Sequence, residues 1–319
     1  MNSKSSRRGA AGNKTPPKQQ LKPRPTPMQS IADAAPKLSA LEPAAARWIA
    51  AMIRMASPHP AMGYVLDVLG RLQDRPYRTN ILVTGEPGTG KGGLARALTN
   101  LIAPHGRTVR VDLGGFSEQE ALARLCGAGS QAGLVEAANE GALLIEEATD
   151  LSPRLQNELL RILKTGRVTR LGGVTETPVR LCVVTLSDRD LAAEVAAQRF
   201  RHDLYYRLAR IVLWLPPLRE RLEDVAATTV WMGNRILSDV GVPLVLRGAE
   251  DMKRASPEEQ RRSIELTEAA LETLRRHTWP GNFRELEAAV ERALLLYRTD
   301  RRLGVDEIKQ AMLEVQTSV

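Results

Sequence analysis

The sequence of 319 residues contains only two cysteines, which excludes a disulfide framework and a four-cysteine zinc site. Cys126 and Cys182 stand in apolar surroundings, where a cysteine is more often a small core residue than a reactive thiol. The chain also lacks any run of about 18 apolar residues, so a membrane-spanning helix is excluded. These absences predict a protein of the reducing cytoplasm that has no membrane partner.

Acidic, aromatic and branched aliphatic residues are scarce in residues 1–40. Eight basic side chains and one acidic side chain give this segment +7 of the formal net charge of +8, and six of the 19 prolines lie in it. Such a composition predicts a disordered basic tail, because it cannot bury enough apolar surface to offset the entropy of ordering. It has no apolar run typical of a secretory signal. Two interpretations remain open, a DNA or acidic-partner contact and a solubilising tail.

Beyond the tail, the apolar pattern divides the chain near residue 217. Residues 41–217 alternate helical patterns with short apolar runs typical of buried parallel strands, at 80–84, 108–113, 142–145, 179–185 and 212–215. This alternation predicts an α/β domain whose open parallel sheet is covered by helices on both faces. Residues 218–319 predict a smaller all-helical domain, with one possible strand at 244–246 and helices at 219–237, 256–276, 282–298 and 305–315.

The string GEPGTGK at residues 85–91 follows the first predicted strand and precedes a predicted helix, as a phosphate-binding loop requires. Its glycines let backbone N–H groups turn toward phosphates, and the start of the helix adds positive potential. Lys91 is expected to reach the β- and γ-phosphates. The predicted nucleotide-binding residues of this loop are Gly85, Glu86, Pro87, Gly88, Thr89, Gly90, Lys91, Gly92 and Gly93. Gly92 stands where the motif has Ser or Thr, so no hydroxyl is available there for Mg²⁺.

Two acidic residues, Glu146 and Glu147, end the apolar run at 142–145. The carboxyl ends of parallel strands are where ligands bind in such sheets. We expect Glu146 to hold Mg²⁺ through water and Glu147 to polarise the attacking water.

Longer strings add a specific resemblance. They are EGALLIEE at 140–147, LQNELLRIL at 155–163, RDL at 189–191, RFRHDLYYRL at 199–208, PPLRER at 216–221 and WPGNFREL at 279–286. With these strings and its phosphate loop, the chain resembles the AAA+ ATPase module of sigma-54-dependent transcription activators, the bacterial enhancer-binding proteins. The resemblance runs from about residue 57 to about residue 298. It implies an AAA+ P-loop fold with a lid domain, and ATP and Mg²⁺ as cofactors.

The resemblance also implies a role for each matched residue. Lys91 binds phosphate, Glu147 is the catalytic glutamate, and Glu146 takes the place of the metal-associated aspartate. Asp188 stands where the family usually has the asparagine that senses the γ-phosphate.

Three arginines complete the implied machinery. Arg201 and Arg207 match the arginine fingers that reach the nucleotide of a neighbouring subunit, and Arg284 matches the lid arginine that senses nucleotide. Arginine suits these tasks because its planar fork donates two hydrogen bonds to phosphate oxygens and stays charged. Fingers that act in trans imply a homo-oligomeric ring, most simply a hexamer, or a filament, with ATP between subunits.

The sequence departs from the family where sigma-54 is gripped. Residues 125–134 contain no GAFTGA string, and we expect no protruding hairpin there. We also expect neither a receiver domain before the module nor a helix-turn-helix after residue 298. Three hypotheses follow. The chain is an ATP-driven remodeller of an unknown protein other than sigma-54, a regulator in the sigma-54 pathway that co-assembles with a full activator, or a low-turnover ATP-dependent scaffold on DNA.

Overall fold

A computed structural model describes residues 57–74, 78–298 and 300–317. The basic tail predicted for residues 1–40 and the helical pattern up to residue 56 lie outside the described residues. The remainder folds into an α/β domain followed by a helical lid domain.

Short strands build the α/β domain. In chain order they are β1 (Ile81–Thr84), β2 (Thr108–Asp112), β3 (Gly127–Ala128), β4 (Gln131–Ala132), β5 (Ala142–Glu146), β6 (Arg167–Thr169), β7 (Glu176–Pro178), β8 (Cys182–Ser187) and β9 (Ile211–Trp214). Five of them form one sheet in the order β2-β5-β8-β1-β9, with all pairs parallel. The predicted runs therefore form the sheet, although the fourth strand begins at Cys182 rather than at residue 179. The residues just before the predicted strand, 176–178, form β7 and pair with β6.

Helices cover both faces of this sheet. They are α1 (Pro60–Asp74), α2 (Lys91–Ile102), α3 (Glu118–Cys126), α4 (Leu134–Ala137), α5 (Pro153–Thr165), α6 (Leu191–Ala196) and α7 (His202–Leu208). One apolar core packs α1 and α2 against the sheet, and a second core packs α3, α5 and α7 against the opposite face. Because both faces are covered, the strands read as continuous apolar runs rather than as alternating ones. Both cysteines lie buried in these cores, and burial raises the pKa of the Cys126 thiol to about 12.

Local signals set the helix ends. Ser117 and Glu120 form a reciprocal capping box at the start of α3, so two backbone N–H groups gain partners. Ser152 caps α5 and Pro153 occupies its first turn, where proline loses no helical hydrogen bond. Gly166 ends α5 in the left-handed conformation, which glycine adopts without a steric penalty.

The lid domain contains helices and, in addition, a small parallel sheet. In chain order its elements are α8 (Asp224–Asp239), β10 (Val245–Gly248), α9 (Ala249–Arg254), α10 (Pro257–Arg261), β11 (Ser263–Leu266), α11 (Glu268–Arg276), α12 (Asn282–Arg292), a π-helical turn (Ala293–Tyr297), β12 (Arg302–Leu303) and α13 (Val305–Thr317). The strands pair in the order β10-β11-β12, and a third apolar core holds the helices against them.

This sheet corrects the expectation of an all-helical lid. The single helix predicted at 256–276 is instead α10, β11 and α11. The physical reason is that Ser263–Leu266 is buried between two partner strands, and its extended pairing overrides the helical spacing of its neighbours. The strand at 244–246 forms, displaced to Val245–Gly248.

We expected no protruding hairpin at residues 125–134, but a short one forms there, because Gly129 adopts the left-handed conformation that a tight turn requires. A second antiparallel hairpin lies beside it. β3 and β4 form a tight hairpin of four paired residues, and β6 and β7 form a longer one. The backbone N–H of Leu171 donates to the Gly127 carbonyl at 2.9 Å. Arg170 donates to the Ser130 carbonyl at 2.9 Å and pairs with Glu136 at 2.7 Å. The short hairpin is thus fastened to the longer one.

No helix among the described residues is long and apolar enough to cross a membrane.

Candidate nucleotide-binding site

The loop between β1 and α2 has the geometry of a phosphate cradle. Gly90 precedes α2 with φ +99°, a left-handed conformation that side chains with a Cβ rarely adopt. Lys91 begins the helix, and its Nζ donates to the carbonyl oxygens of Gly85 at 2.7 Å and Glu86 at 2.8 Å. The lysine therefore folds back over the loop as a phosphate-binding lysine must.

Lys91 also makes an ion pair across the sheet edge. Its Nζ lies 2.5 Å from Asp188 Oδ1, just beyond the end of β8, and the lysine side chain is only 8% exposed. The Asp188 side chain is 42% exposed, so water screens the pair in part. Asp188 therefore faces the phosphate cradle through Lys91, and a phosphate entering the site would compete with this carboxylate.

Glu147 follows β5 in a left-handed backbone conformation with φ +45°. Its Oε1 accepts hydrogen bonds from the Thr149 hydroxyl at 2.5 Å and the Ser187 hydroxyl at 3.2 Å. Its Oε2 accepts from the Asp188 backbone N–H at 2.7 Å. These donors aim the carboxylate across the end of β8 toward the cradle, where a general base for an attacking water is needed.

Glu146, the last residue of β5, has a different neighbour. Its Oε2 accepts from Arg110 Nη2 at 2.8 Å, and its Oε1 contacts Arg110 Nε. This two-point contact raises the pKa of Arg110 above its ordinary value. Arg110 was not among the predicted site residues. One signal for it was available, since Thr108, Arg110 and Asp112 alternate with buried valines along β2 and so share one face of the strand.

The lid donates hydrogen bonds to backbone carbonyl groups of the phosphate loop. The Phe283 N–H donates to the Gly88 carbonyl at 3.0 Å, and Asn282 Nδ2 donates to the Pro87 carbonyl at 2.9 Å. A Cβ at position 88 would lie 2.2 Å from the Gly281 carbonyl oxygen, so only glycine permits this approach. The lid turn at residues 279–284 is therefore fitted directly onto the loop.

Arg221 joins the two domains from inside the molecule. It is 1% exposed, donates to the Thr89 carbonyl at 3.0 Å, and lies over the Phe283 ring at 4.5 Å. Burial lowers its pKa to about 10. Asp224 lies 3.8 Å away and is also buried, and burial raises the pKa of this carboxyl. The phosphate loop is thus anchored to the lid by a buried guanidinium.

A cavity of about 580 Å³ lies between the phosphate loop, the strand ends and the lid. The predicted site residues that line it are Pro87, Gly88, Thr89, Gly90, Lys91, Gly92, Gly93, Glu146, Glu147, Asp188 and Arg284. Sequence reasoning missed the other twelve lining residues, which are Arg96, Arg110, Asp112, Leu186, Leu215, Arg221, Thr228, Trp231, Met232, Arg235, Phe283 and Glu287. Gly85 and Glu86 do not line the cavity. The Glu86 carboxylate instead accepts hydrogen bonds from Arg219, which are the largest cause of its lowered pKa.

The two predicted finger arginines lie away from this cavity. Arg201 stands before α7, pairs with Asp203 at 3.0 Å and contacts Asn157 Oδ1 at 2.5 Å. Arg207, on α7, donates to the Leu163 carbonyl at 3.4 Å. Neither side chain lines the cavity that holds Lys91 and Glu147. Within one chain, the arginines and the cavity are therefore separate features.

At the two positions expected to supply Mg²⁺ with an oxygen, the residues present do not fit the ion. Mg²⁺ prefers carboxylate and hydroxyl oxygens in octahedral geometry. Gly92 supplies no side-chain oxygen, and both oxygens of Glu146 face a guanidinium. Across the part of the chain that the structure describes, no group of three or more His, Cys, Asp or Glu side chains could hold a metal ion.

Comparisons with known proteins agree with this geometry. The family described as "Sigma-54 interaction domain" matches residues 55–214, and the family described as "AAA+ ATPase lid domain" matches residues 249–319. The regulatory protein AtoC of Escherichia coli is 35% identical over 69% of this chain and 46% of its own length. A Nif-specific regulatory protein of Herbaspirillum seropedicae is 33% identical over 72% of this chain and 40% of its own length. The chain thus spans about half the length of these relatives.

Solved structures share the fold of this chain. NtrX from Brucella abortus, crystallised in complex with ATP, superposes with a TM-score of 0.67 at 26% identity, over 78% of this chain and 53% of NtrX. The P216G mutant of RuvB from Thermotoga maritima superposes with a TM-score of 0.51 at 14% identity, over 79% of this chain and 68% of that one, which shows the shared fold alone. The chain belongs to the sigma-54 interaction domain family of AAA+ proteins, with the lid domain that accompanies it.

Proposed function

We propose that this chain is an ATPase of the sigma-54-activator type, that it works as a homo-oligomeric ring, and that it remodels a protein or nucleoprotein partner. The observation that carries the proposal is the division of the machinery. Lys91, Glu147 and Arg284 line one cavity, whereas Arg201 and Arg207 lie outside it. A complete site then needs two chains, one to bind ATP and one to supply the arginines.

The proposed chemistry follows from the residues of the cavity. Lys91 binds the β- and γ-phosphates, and Glu147 accepts the proton of a water that attacks the γ-phosphorus. The bond between the γ-phosphorus and the bridging oxygen breaks, and ADP and inorganic phosphate leave. Arg201 and Arg207 of a neighbouring subunit stabilise the charge that develops on the transferred group.

The lid contacts suggest how nucleotide state reaches the partner. Arg284 lines the cavity, and the adjacent turn is bonded to Gly88 of the loop. A change in the bound nucleotide therefore moves the lid relative to the sheet. Because residues 125–134 carry no GAFTGA string, we propose a remodelled partner other than sigma-54.

A mixing experiment tests the division of the site. Lys91→Ala and Arg201→Ala should each hydrolyse ATP at about a hundredth of the parental rate or less, since each removes a charge from the transition state. An equimolar mixture should recover roughly a tenth or more of the parental rate, because some subunit interfaces combine an intact phosphate loop with an intact Arg201. Arg276→Ala, which removes a lid arginine side chain that is 78% exposed, is the matched control.

Two results would contradict the proposal. One is a mixture whose rate is only the mean of the two variants. The other is a loss of ATP affinity in the Arg201→Ala monomer, which would assign Arg201 to the cavity of its own chain.

A second candidate function is a low-turnover ATP-dependent scaffold on DNA. The pairing of Glu146 with Arg110 favours it, because a carboxylate held by a guanidinium is a poor site for the divalent cation that speeds phosphoryl transfer. Parental ATP binding combined with DNA-dependent assembly and negligible hydrolysis would select this function over the first.

A further inference from the structure

Arg110 reaches the nucleotide cavity because of the register between two strands. β2 and β5 are parallel neighbours, and Asp112 lies directly opposite Glu146. Arg110 stands two residues before Asp112, so both side chains project from the same face of the sheet. The guanidinium of Arg110 lines the cavity together with Gly92, Gly93 and Arg96 of α2. A positively charged side chain of β2 therefore lines the same cavity as the phosphate loop.

The absence of a hydroxyl at position 92 is not imposed by packing. A Cβ at Gly92 would meet no atom within 4 Å, and the residue lies within the regular helix α2. A serine would fit there. The other expected metal ligand, Glu146, is present but presents both oxygens to Arg110. The two changes concern the same cation, and each is accommodated without steric conflict.

The other cavity carboxylates near the strand ends are also engaged. Asp188 pairs with Lys91 at 2.5 Å, and Glu147 accepts from Thr149 and Ser187. Asp112 accepts from the Gly114 N–H at 3.0 Å. Each of these carboxylates already accepts an ion pair or a hydrogen bond, whereas the Arg110 guanidinium brings positive charge and N–H donors to an incoming phosphate.

We propose that Arg110 takes the place of the divalent cation, so that this site binds the ATP triphosphate without a metal ion held by the protein. The inference rests on the proposed function, because it assumes that the cavity binds ATP. The guanidinium suits the role, since its fork donates two hydrogen bonds to phosphate oxygens and its charge does not titrate. Its side chain is 64% exposed, so its guanidinium can turn from Glu146 toward the phosphates.

The test is equilibrium binding of a fluorescent ATP analogue to the full chain, once with excess Mg²⁺ and once with excess EDTA. The parent is expected to bind with dissociation constants that agree within about threefold in the two conditions. Arg110→Met should weaken binding in EDTA at least about tenfold, because the guanidinium that replaces the divalent cation is then lost. Arg276→Met is the matched control and should behave as the parent does.

A gain-of-function variant sharpens the test. Gly92→Ser combined with Arg110→Met restores a hydroxyl and releases the Glu146 carboxylate. This double variant should bind the analogue at least about tenfold more tightly in Mg²⁺ than in EDTA, since two oxygens then face the metal. A far-UV circular dichroism spectrum like that of the parent confirms that each variant is folded.

The outcomes separate the two proposals. If the parent loses more than about tenfold in affinity on addition of EDTA, or if Arg110→Met binds as the parent does, Arg110 does not replace the cation. If the parent binds the analogue in neither condition, the proposed function itself is wrong.

Discussion

The nucleotide cavity has two walls of different construction. The loop wall comprises residues 87–93 with Arg221 and Phe283. Its carbonyl groups accept hydrogen bonds from the Asn282 side chain, the Phe283 backbone N–H and the buried Arg221 guanidinium. The strand-end wall comprises Arg110, Glu146, Glu147 and Asp188. Its side chains form ion pairs and hydrogen bonds at the mouth of the cavity, where Arg110 is largely exposed.

The difference between the two walls indicates which part of the site can change without loss of the fold. The loop wall is fixed by contacts that also hold the two domains together, so a substitution there alters stability. The strand-end wall is held by ion pairs between side chains that contribute little to the apolar cores. A substitution there therefore alters nucleotide affinity and chemistry. Such a division lets the fold persist while the metal chemistry departs from the family pattern.

The largest expected effect is on the loop wall. Arg221→Ala should lower the free energy of unfolding by about 3–5 kcal/mol, because it leaves Asp224 buried without its cationic neighbour. Urea denaturation measures the change. Arg210→Ala, which removes an exposed arginine, is the control and should shift stability by less than about 0.5 kcal/mol. A loss below about 1 kcal/mol for Arg221→Ala would mean that the loop wall is not anchored by this residue.

The second effect concerns Lys91, which touches both walls. Lys91→Ala should weaken ATP binding at least 100-fold, or about 2.8 kcal/mol, because the loop then lacks its phosphate-binding cation. Isothermal titration calorimetry measures the affinity. Lys253→Ala removes a lysine side chain that is 71% exposed on the lid and should leave the affinity unchanged. If Lys91→Ala bound ATP as tightly as the parent, the phosphate site would lie elsewhere.

A smaller effect of opposite sign is expected on the strand-end wall. Asp188→Asn should tighten ATP binding about tenfold, or about 1.4 kcal/mol, because it removes a carboxylate that competes with phosphate for Lys91. The same titration measures it, with Asp239→Asn on the surface as control. Unchanged or weaker binding would show that the Lys91–Asp188 pair does not oppose nucleotide entry.

The smallest effect is expected at an exposed ion pair that joins the phosphate loop to the start of the lid. Glu86→Gln breaks the pair with Arg219 and should cost less than about 1 kcal/mol of unfolding free energy at pH 7, since solvent screens the pair. Hydrogen bonds from Arg219 lower the pKa of Glu86 in the folded chain. The stabilisation is therefore complete above the ordinary glutamate pKa of 4.5 and is lost as the pH falls below it.

Urea titrations of parent and Glu86→Gln across this pH range measure the difference. It should shrink toward zero in acid. A difference that instead grew in acid would mean that another group is responsible.

The sequence sufficed to predict the features that depend on neighbours along the chain. The parallel sheet followed from continuous apolar runs, and the phosphate cradle followed from glycines and a lysine between a strand and a helix. The family strings also directed attention to Glu147 and Arg284, both of which line the cavity.

Features that depend on distant pairing could not be predicted. Arg110 meets Glu146 only because β2 and β5 are adjacent in the sheet, and no local pattern reveals that order. Ser263–Leu266 forms a strand because it pairs with β10 on one side and β12 on the other. All three strands are too short to give a periodic apolar pattern in the sequence. In the sequence, Arg221 cannot be distinguished from the exposed arginines near it, because its burial depends on the folded lid.

The fastening of the two hairpins has a mechanical consequence. Because Leu171 and Arg170 bind the short hairpin at residues 127–132, a displacement of one hairpin carries the other with it. The two hairpins therefore form one short unit. Under the proposed function, a partner that this unit contacts would lie close to the α/β domain.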